Sequence, residues 1–521
     1  MVIARKNKFL VGLVFFLVLM FQVASGFSAG IISSILDPVM INELGVPAIL
    51  VGVLLGSHYF IEPIRSYIGS LSDRYSIFKM HRAPFIAIGG MILAGSYPLI
   101  LLVVQQLRDP NFHRVTGEVA NTGNYQSNFF WVIVAILVFL INGTGISIMG
   151  TAALAVLVDT TSERVRGFIA SIGWTMLIAG IIISSIVGRV ILPEKEGRSF
   201  DYNALYPIFL FLFPAILLIL AFLSAFGTSL IEPRREGAID HKRTYVNFRE
   251  AFKVVISIRQ ARVFLSFLFV YCAFTFMRDL LAPAYAGNVY RMTVAERSAI
   301  QATLNGPILV AMIVAGVVTL WVNKRYSIYG GLGLAVIGML LQAISGFIFK
   351  VDQAAIQAYD AANNAHASGL ISEEAYAAAR KTWDATIAGD KSIFTIGLII
   401  MGIGLGTSVP GLIGTMMDIT DKANAALYIG VWGIAQAFGT GLANLGAGAL
   451  RDFAFNAFPN NLSVGYGFVF LTQAIGTALA LALFTRISVP KFQEEIAEIT
   501  EALHREEAVS VSSGTSAGGL A

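Results

Sequence analysis

Three ionisable side chains, His58, Glu62 and Arg65, stand four and then three residues apart in an otherwise apolar stretch. On a helix that spacing places all three on one face. Pro63 lies among them and can kink the helix. Ionisable groups inside an apolar helix face the protein interior or a cavity. Glu62 and Arg65 can bridge two helices, or they can line a ligand or proton path; the residue types leave both readings open. His58 can hydrogen-bond a carbonyl or ligate a metal ion. A second set, Arg278 and Asp279, precedes Pro283. Adjacent helical residues point about 100° apart, so these two call for separate partners or an interfacial position.

A further group suits gating rather than binding. Gly69, Asp73, Arg74 and Arg82 close one apolar run and open the next. Gly69 permits close helix approach, Asp73 suits a neighbouring helix N-terminus, and the arginines suit the membrane surface. Asp159, Glu163 and Arg166 end another run, and Asp418, Asp421 and Lys422 end a third. These charges are expected to pair across one face of a helix bundle.

Enzyme chemistry finds no foothold. There is no phosphate-cradling P-loop, no HExxH and no nucleophile elbow. Cys272 is the only cysteine, which excludes intramolecular disulfides and cysteine metal centres. The glycines of Gly402-Ile403-Gly404-Leu405-Gly406 lie in an apolar run and read as helix packing, as do those from Gly439 to Gly448.

The elements that position these residues must be membrane helices. Of 521 residues, 56% are hydrophobic and 13% charged, where a soluble domain carries about 25% charge. Mean hydropathy is +0.73. Twelve runs reach the roughly 20 apolar residues that a span needs: 9–36, 46–71, 84–105, 129–157, 167–192, 206–228, 263–283, 299–322, 327–349, 392–417, 424–450 and 465–485. They are numbered spans 1 to 12 here. The first is too long for the apolar core of a signal peptide and reads as an uncleaved helix. With the N-terminus inside, inner segments carry 22 Lys and Arg against 11 in outer loops, so both termini are expected in the cytoplasm. The net charge of +4 reads as orientation charge, not a nucleic-acid footprint.

The basic segment 229–262 divides the chain into an N-terminal half, 1–228, and a C-terminal half, 263–488. Six spans on each side with a basic linker is the layout of the major facilitator fold. Arg74-Tyr75-Ser76-Ile77 follows span 2 and Arg325-Tyr326-Ser327-Ile328 follows span 8, about half the chain apart. The outer loop 350–391 is Ala-rich and polar, and one or two short helices are expected there, starting at Ser372-Glu373-Glu374. The tail 489–521 begins amphipathic and turns Ser/Gly-rich, which predicts partial disorder.

Local sequence then resembles one family in four places. Val39-Met40-Ile41-Asn42-Glu43-Leu44-Gly45-Val46-Pro47 is the first, and Pro63-Ile64-Arg65 through Ser72-Asp73 to Arg82-Ala83-Pro84-Phe85-Ile86 the second. Gly430-Val431-Trp432-Gly433 with Gln436-Ala437 is the third, and the same span ends in Gly446 to Leu450-Arg451-Asp452. These resemble the PucC/LhaA family, the bacteriochlorophyll-delivery branch of the major facilitator fold. The fourth place departs from the pattern: in Arg278-Asp279-Leu280-Leu281-Ala282-Pro283-Ala284-Tyr285-Ala286-Gly287, Arg278 stands where the family has Gln and Pro283 where it has Glu.

The resemblance implies a non-enzymatic, multi-pass protein of the cytoplasmic or photosynthetic membrane of a phototrophic bacterium. It implies a role in assembling light-harvesting complexes, with bacteriochlorophyll as bound cargo and antenna polypeptides and pigment-synthesis enzymes as partners. His58, Glu62, Arg65, Arg278, Asp279, Trp432 and Gln436 become cavity candidates, and His58 a candidate ligand of the pigment's magnesium. Two other activities fit the residues: a proton-coupled transporter of a small amphipathic solute with Glu62 or Asp279 as carrier, and a membrane scaffold for pigment-synthesis enzymes.

Overall fold

The computed structural model describes residues 8–59, 72, 75–110, 125, 128–161, 163–192, 202–232, 234, 256–319, 321–350, 353–419, 425–459 and 461–495. The described residues are helical nearly throughout, and their only β pairing is one bridge between Ile77 and Met80. Lipid offers the backbone no hydrogen-bond partners, so apolar runs of this length close their bonds internally. Ten of the described helices are long and apolar enough to cross a bilayer. Span 2 is described as a helix over Ala48–Ser57, and the helix of span 11 covers Ala425–Ala457. Helix starts follow from short polar side chains that accept orphan amides. Asn128 accepts from Phe130, Asn323 from Arg325, and Ser372 from Ala375. Thr293 and Glu296 form a reciprocal capping box at the start of span 8.

Helices run well beyond their expected limits in spans 1, 10 and 11, the last of which reaches Ala457. Span 1 does not stop at Leu36. It passes through a π-helical turn, Ile32–Leu36, and continues as Asp37–Asn42. Pro38 supplies no amide for the ladder, which loosens the turn before it, while Val39, Met40 and Ile41 are fully buried and hold the continuation in place. Span 10 begins far before residue 392: its helix is Glu373–Asp418, 46 residues without interruption. The expected outer loop is therefore one separate helix, Gln353–Ala367, and the first part of span 10.

Packing repeats between the halves. Spans 3 and 4 pair as 9 and 10 do, 3 and 6 as 9 and 12, 1 and 5 as 7 and 11, 2 and 4 as 8 and 10. Span 2 meets span 11, span 5 meets span 8, and span 1 meets span 7 across the division. Glycines set these distances. A Cβ on Gly26 would overlap the carbonyl of Leu177, one on Gly52 the carbonyl of Asn444, and one on Gly448 the carbonyl of Ala48. Gly402 and Gly406 face span 8 while Gly404 faces span 9, so this run is a packing surface on two sides.

Candidate functional site at the breaks of spans 1 and 7

Span 7 is broken as span 1 is. One helix, Arg259–Thr275, ends and a second, Arg278–Asn288, begins after two intervening residues. The break leaves the Thr275 carbonyl without its helical partner. Arg278 donates to it through Nη1 at 2.9 Å, and Gln473 of span 12 through Nε2 at 3.4 Å. Arg278 is buried, with its guanidinium 5.1 Å from the centre of the Phe276 ring and Nε 3.5 Å from Asp279 Oδ1. The adjacent pair thus meets each other as well as separate partners, because Arg278 opens a new helix and is not held to the direction of the first. The Asp279 carbonyl accepts from Gln301 of span 8, whose own amide oxygen accepts from Asn305.

Asp37, beside the break of span 1, is 2% exposed, and the short helix it opens packs against the second helix of span 7. Asp37 Oδ1, Arg278 Nε, Thr275 Oγ1 and Gln473 Oε1 are buried and have no hydrogen-bond partner among the described residues. Buried polar atoms of this kind are costly when left alone. Two carboxylates, one guanidinium and unspent amide and hydroxyl atoms at paired helix breaks can hold a polar or charged group at membrane depth.

At the end of the bundle opposite the chain termini, spans 1 and 8 and spans 2 and 11 are tied together. Glu43 of span 1 pairs with Arg297 of span 8 at 2.5 Å, both side chains all but fully buried. Arg297 also reaches the Pro38 carbonyl at 3.4 Å. Beside them Gly287 leaves room for Asn42 and Arg297, where a Cβ would collide. Asp452 of span 11 accepts the amides of Ala48 at 3.3 Å and Ile49 at 2.9 Å, placing a carboxylate at the N-terminus of span 2. Arg451 holds Asp452 at 2.9 Å and lies 4.2 Å from the Phe455 ring centre.

The outer insert braces the same end. Arg380 bonds both carboxylate oxygens of Glu296 at 2.7 Å, and Arg291 bonds Asp360 at 3.1 and 3.0 Å. Trp383 donates to the Tyr290 carbonyl at 3.0 Å and stacks on Tyr359. Burial raises the phenol of Tyr290 well above its ordinary range, and the neighbouring Tyr285 adds to this. The hydroxyl stays protonated and shares a hydrogen bond with Ser345 at 2.8 Å.

The other sequence candidates fall as follows. His58 is half-buried at the end of the described helix of span 2; its ring lies 4.0 Å from that of Tyr59 and its Cβ faces Gly143 of span 4. Glu62, Arg65, Gly69, Asp73 and Arg74 lie outside the described residues, as do the side chains of Asp159 and Arg166. Trp432 is fully buried, edge-on to Phe264 at 4.8 Å, and Gln436 is half-buried with its carbonyl accepting from Thr440. Arg82 is buried against Ser72 at 2.5 Å, and Asp418 pairs with Lys324 of span 9. Sequence reasoning missed Asp37, Arg297, Glu232 and the partners of Asp452. Asp37-Pro38 ahead of an apolar triplet was the available signal of a charge at a helix break.

The mirrored helix pairings and the paired breaks among the described residues are those of the major facilitator fold. Solved structures agree. The nucleoside transporter NupG matches with a TM-score of 0.57 at 11% identity, covering 90% of this chain and 99% of that one. A bacterial homologue of the lysosomal transporter Spinster, inward-facing and occupied, matches at 0.56 and 14% identity, covering 92% and 97%. The xylose transporter XylE from E. coli, inward open, matches at 0.54 and 11%, covering 88% and 94%. Within that fold the chain belongs to the PucC family: the family described as PUCC protein matches residues 35–382 and 355–492. "Protein PucC" of Cereibacter sphaeroides is 26% identical over 475 residues, covering 88% of this chain and 89% of the relative. "Bacteriochlorophyll synthase 44.5 kDa chain" of Rhodobacter capsulatus is 24% identical over 477 residues, covering 89% and 93%. The protein is a multi-span membrane protein.

Proposed function

We propose that this protein is a non-enzymatic assembly factor for photosynthetic light-harvesting complexes, which binds bacteriochlorophyll, an antenna polypeptide or both within the photosynthetic membrane. The observation that carries this is the family match from residue 35 to 492, together with relatives named for PucC and for a bacteriochlorophyll synthase chain. The polar layer between spans 1 and 7 supports a cargo site: Arg278, Thr275 and Gln473 offer hydrogen bonds to the polar edge of a ligand. His58, on the described edge of span 2, is the histidine candidate for the pigment's magnesium.

The test is a near-infrared absorption spectrum of protein purified in mild detergent from a phototrophic host, with chain concentration measured in the same sample. Bound bacteriochlorophyll, reduced several-fold by Asp279→Asn or Arg278→Gln, is the expected result. Pigment lost in His58→Ala alone would move the site to span 2. A colourless sample carrying a small membrane polypeptide would make the protein a polypeptide chaperone. A colourless sample with no partner would overturn the assembly reading in favour of a second one, a proton-coupled transporter. That reading draws on Asp37 and Asp279, carboxylates that stand at the two helix breaks.

A further inference from the structure

The connection between spans 2 and 3 carries a feature that the cargo site does not use. Ile77 and Met80 exchange both backbone hydrogen bonds, at 2.9 and 3.1 Å, around a two-residue turn. The turn residues are Phe78 and Lys79, with φ of 55° and 61°. Two successive left-handed residues are the mark of a type I′ turn, whose preferred pair is Asn-Gly. An aromatic residue there is strained, because its Cβ crowds the backbone in this region. Strain of this kind persists where the surroundings impose it.

The surroundings are rigid. The carboxylate of Glu232, at the end of span 6, accepts the amides of His81 and Arg82 at 2.6 Å each and of Ala83 at 3.0 Å. Arg82 and the His81 ring both bond Ser72, and all four side chains are buried. From this base the turn projects its apolar side chains outward: Phe78 is 85% exposed and Tyr75 62%.

Position identifies what meets that tip. Span 3 begins at Ala83, and span 6 carries exposed Phe222, Phe226 and Leu230 up to its last turn. The hydrocarbon boundary therefore lies beside the Glu232 anchor. Phe78 stands three residues from His81 on a folded turn, a reach of at most about 10 Å, against a headgroup layer about 7 Å thick on each side. Aromatic and basic side chains are the residues that settle in that layer. We propose that the 75–80 turn is a membrane-surface anchor that seats Phe78 among the lipid headgroups at the end of the bundle holding the chain termini.

The experiment labels Phe78→Cys in the full chain with an environment-sensitive NBD fluorophore; the native Cys272 is buried and stays unlabelled. The protein is reconstituted in nanodiscs of phosphatidylcholine and phosphatidylglycerol, with or without a doxyl group near the lipid glycerol. Leu370→Cys in the outer insert, 79% exposed, is the aqueous control. The expected result is blue-shifted emission at position 78, with intensity at least halved by the doxyl lipid and unchanged at position 370. Emission at 78 identical to that at 370 would overturn the proposal, whatever protein meets the tip elsewhere. A second variant, Phe78→Asn with Lys79→Gly, keeps the turn and removes the aromatic. It is expected to melt about 2 °C or more higher in detergent as the strain is relieved. A lower melting temperature would show that Phe78 supports the fold instead, which would also overturn the proposal.

Discussion

Glu43 and Arg297 pair where neither side chain can reach water. A buried pair adds little net stability over an apolar replacement, but removing one partner strands the other. Arg297→Met is therefore expected to cost about 3–5 kcal/mol, and Glu43→Leu with Arg297→Met to recover most of it; thermal melting of the two variants beside the parent protein in one detergent checks both. Asp452→Asn keeps shape and removes charge from the N-terminus of span 2. It also strands the buried Arg451, so its loss should be similar, about 3–5 kcal/mol, in the same assay. Such residues were only partly legible beforehand. Glu43 and Asp452 stood in recognised stretches, but their partners lie about 250 and 400 positions away, and no local pattern links them. Asp37 was hidden because the apolar run was read as ending at Leu36, just before it, where the helix in fact continues.

Helices were legible where hydropathy alone decides. The apolar runs of spans 3, 4, 9 and 12 became helices close to their expected limits, since lipid permits little else. For span 10 the helix start at Ser372-Glu373-Glu374 was legible but its continuity with the span was not, because residues 373–391 are polar and the apolar signal begins only later. Glycine roles were also opaque in sequence: Gly26 and Gly95 both lie mid-span, yet only one has a neighbour at contact distance. Gly26→Val is expected to destabilise by at least about 1–3 kcal/mol, since backbone must move. Gly95→Ala has open space and is expected to be neutral or stabilising by up to about 1 kcal/mol. Melting temperatures and the yield of monodisperse protein distinguish the two.

At the level of the whole molecule, the described bonds between the halves gather at the end opposite the termini: Glu43 with Arg297, Arg297 with Pro38, and Asp452 with span 2. The outer insert reinforces those ties through Arg380, which holds Glu296, the neighbour of Arg297. Arg380→Ala is expected to speed amide exchange across 288–297 at least tenfold, a local loss of about 1.4 kcal/mol in opening free energy, while 26–36 in span 1 stays protected. Equal rates in both proteins would show the insert to be a passenger on those ties. The mirrored helix pairs could be foreseen from the six-plus-six layout; the tied end could not, because it depends on which distant charges meet.

The 46-residue helix that begins in the insert and ends at Asp418 has a mechanical consequence. At 1.5 Å per residue it is a rod about 69 Å long, more than twice the hydrocarbon thickness of about 30 Å. Roughly 28 Å of it stand outside the apolar stretch, as a handle. A partner that grips the handle and tilts it sideways swings the far tip, where Asp418 is tied to Lys324, in the opposite direction. One bilayer face thereby acquires leverage over the other through a single helix, in which Pro410 is the place most able to bend.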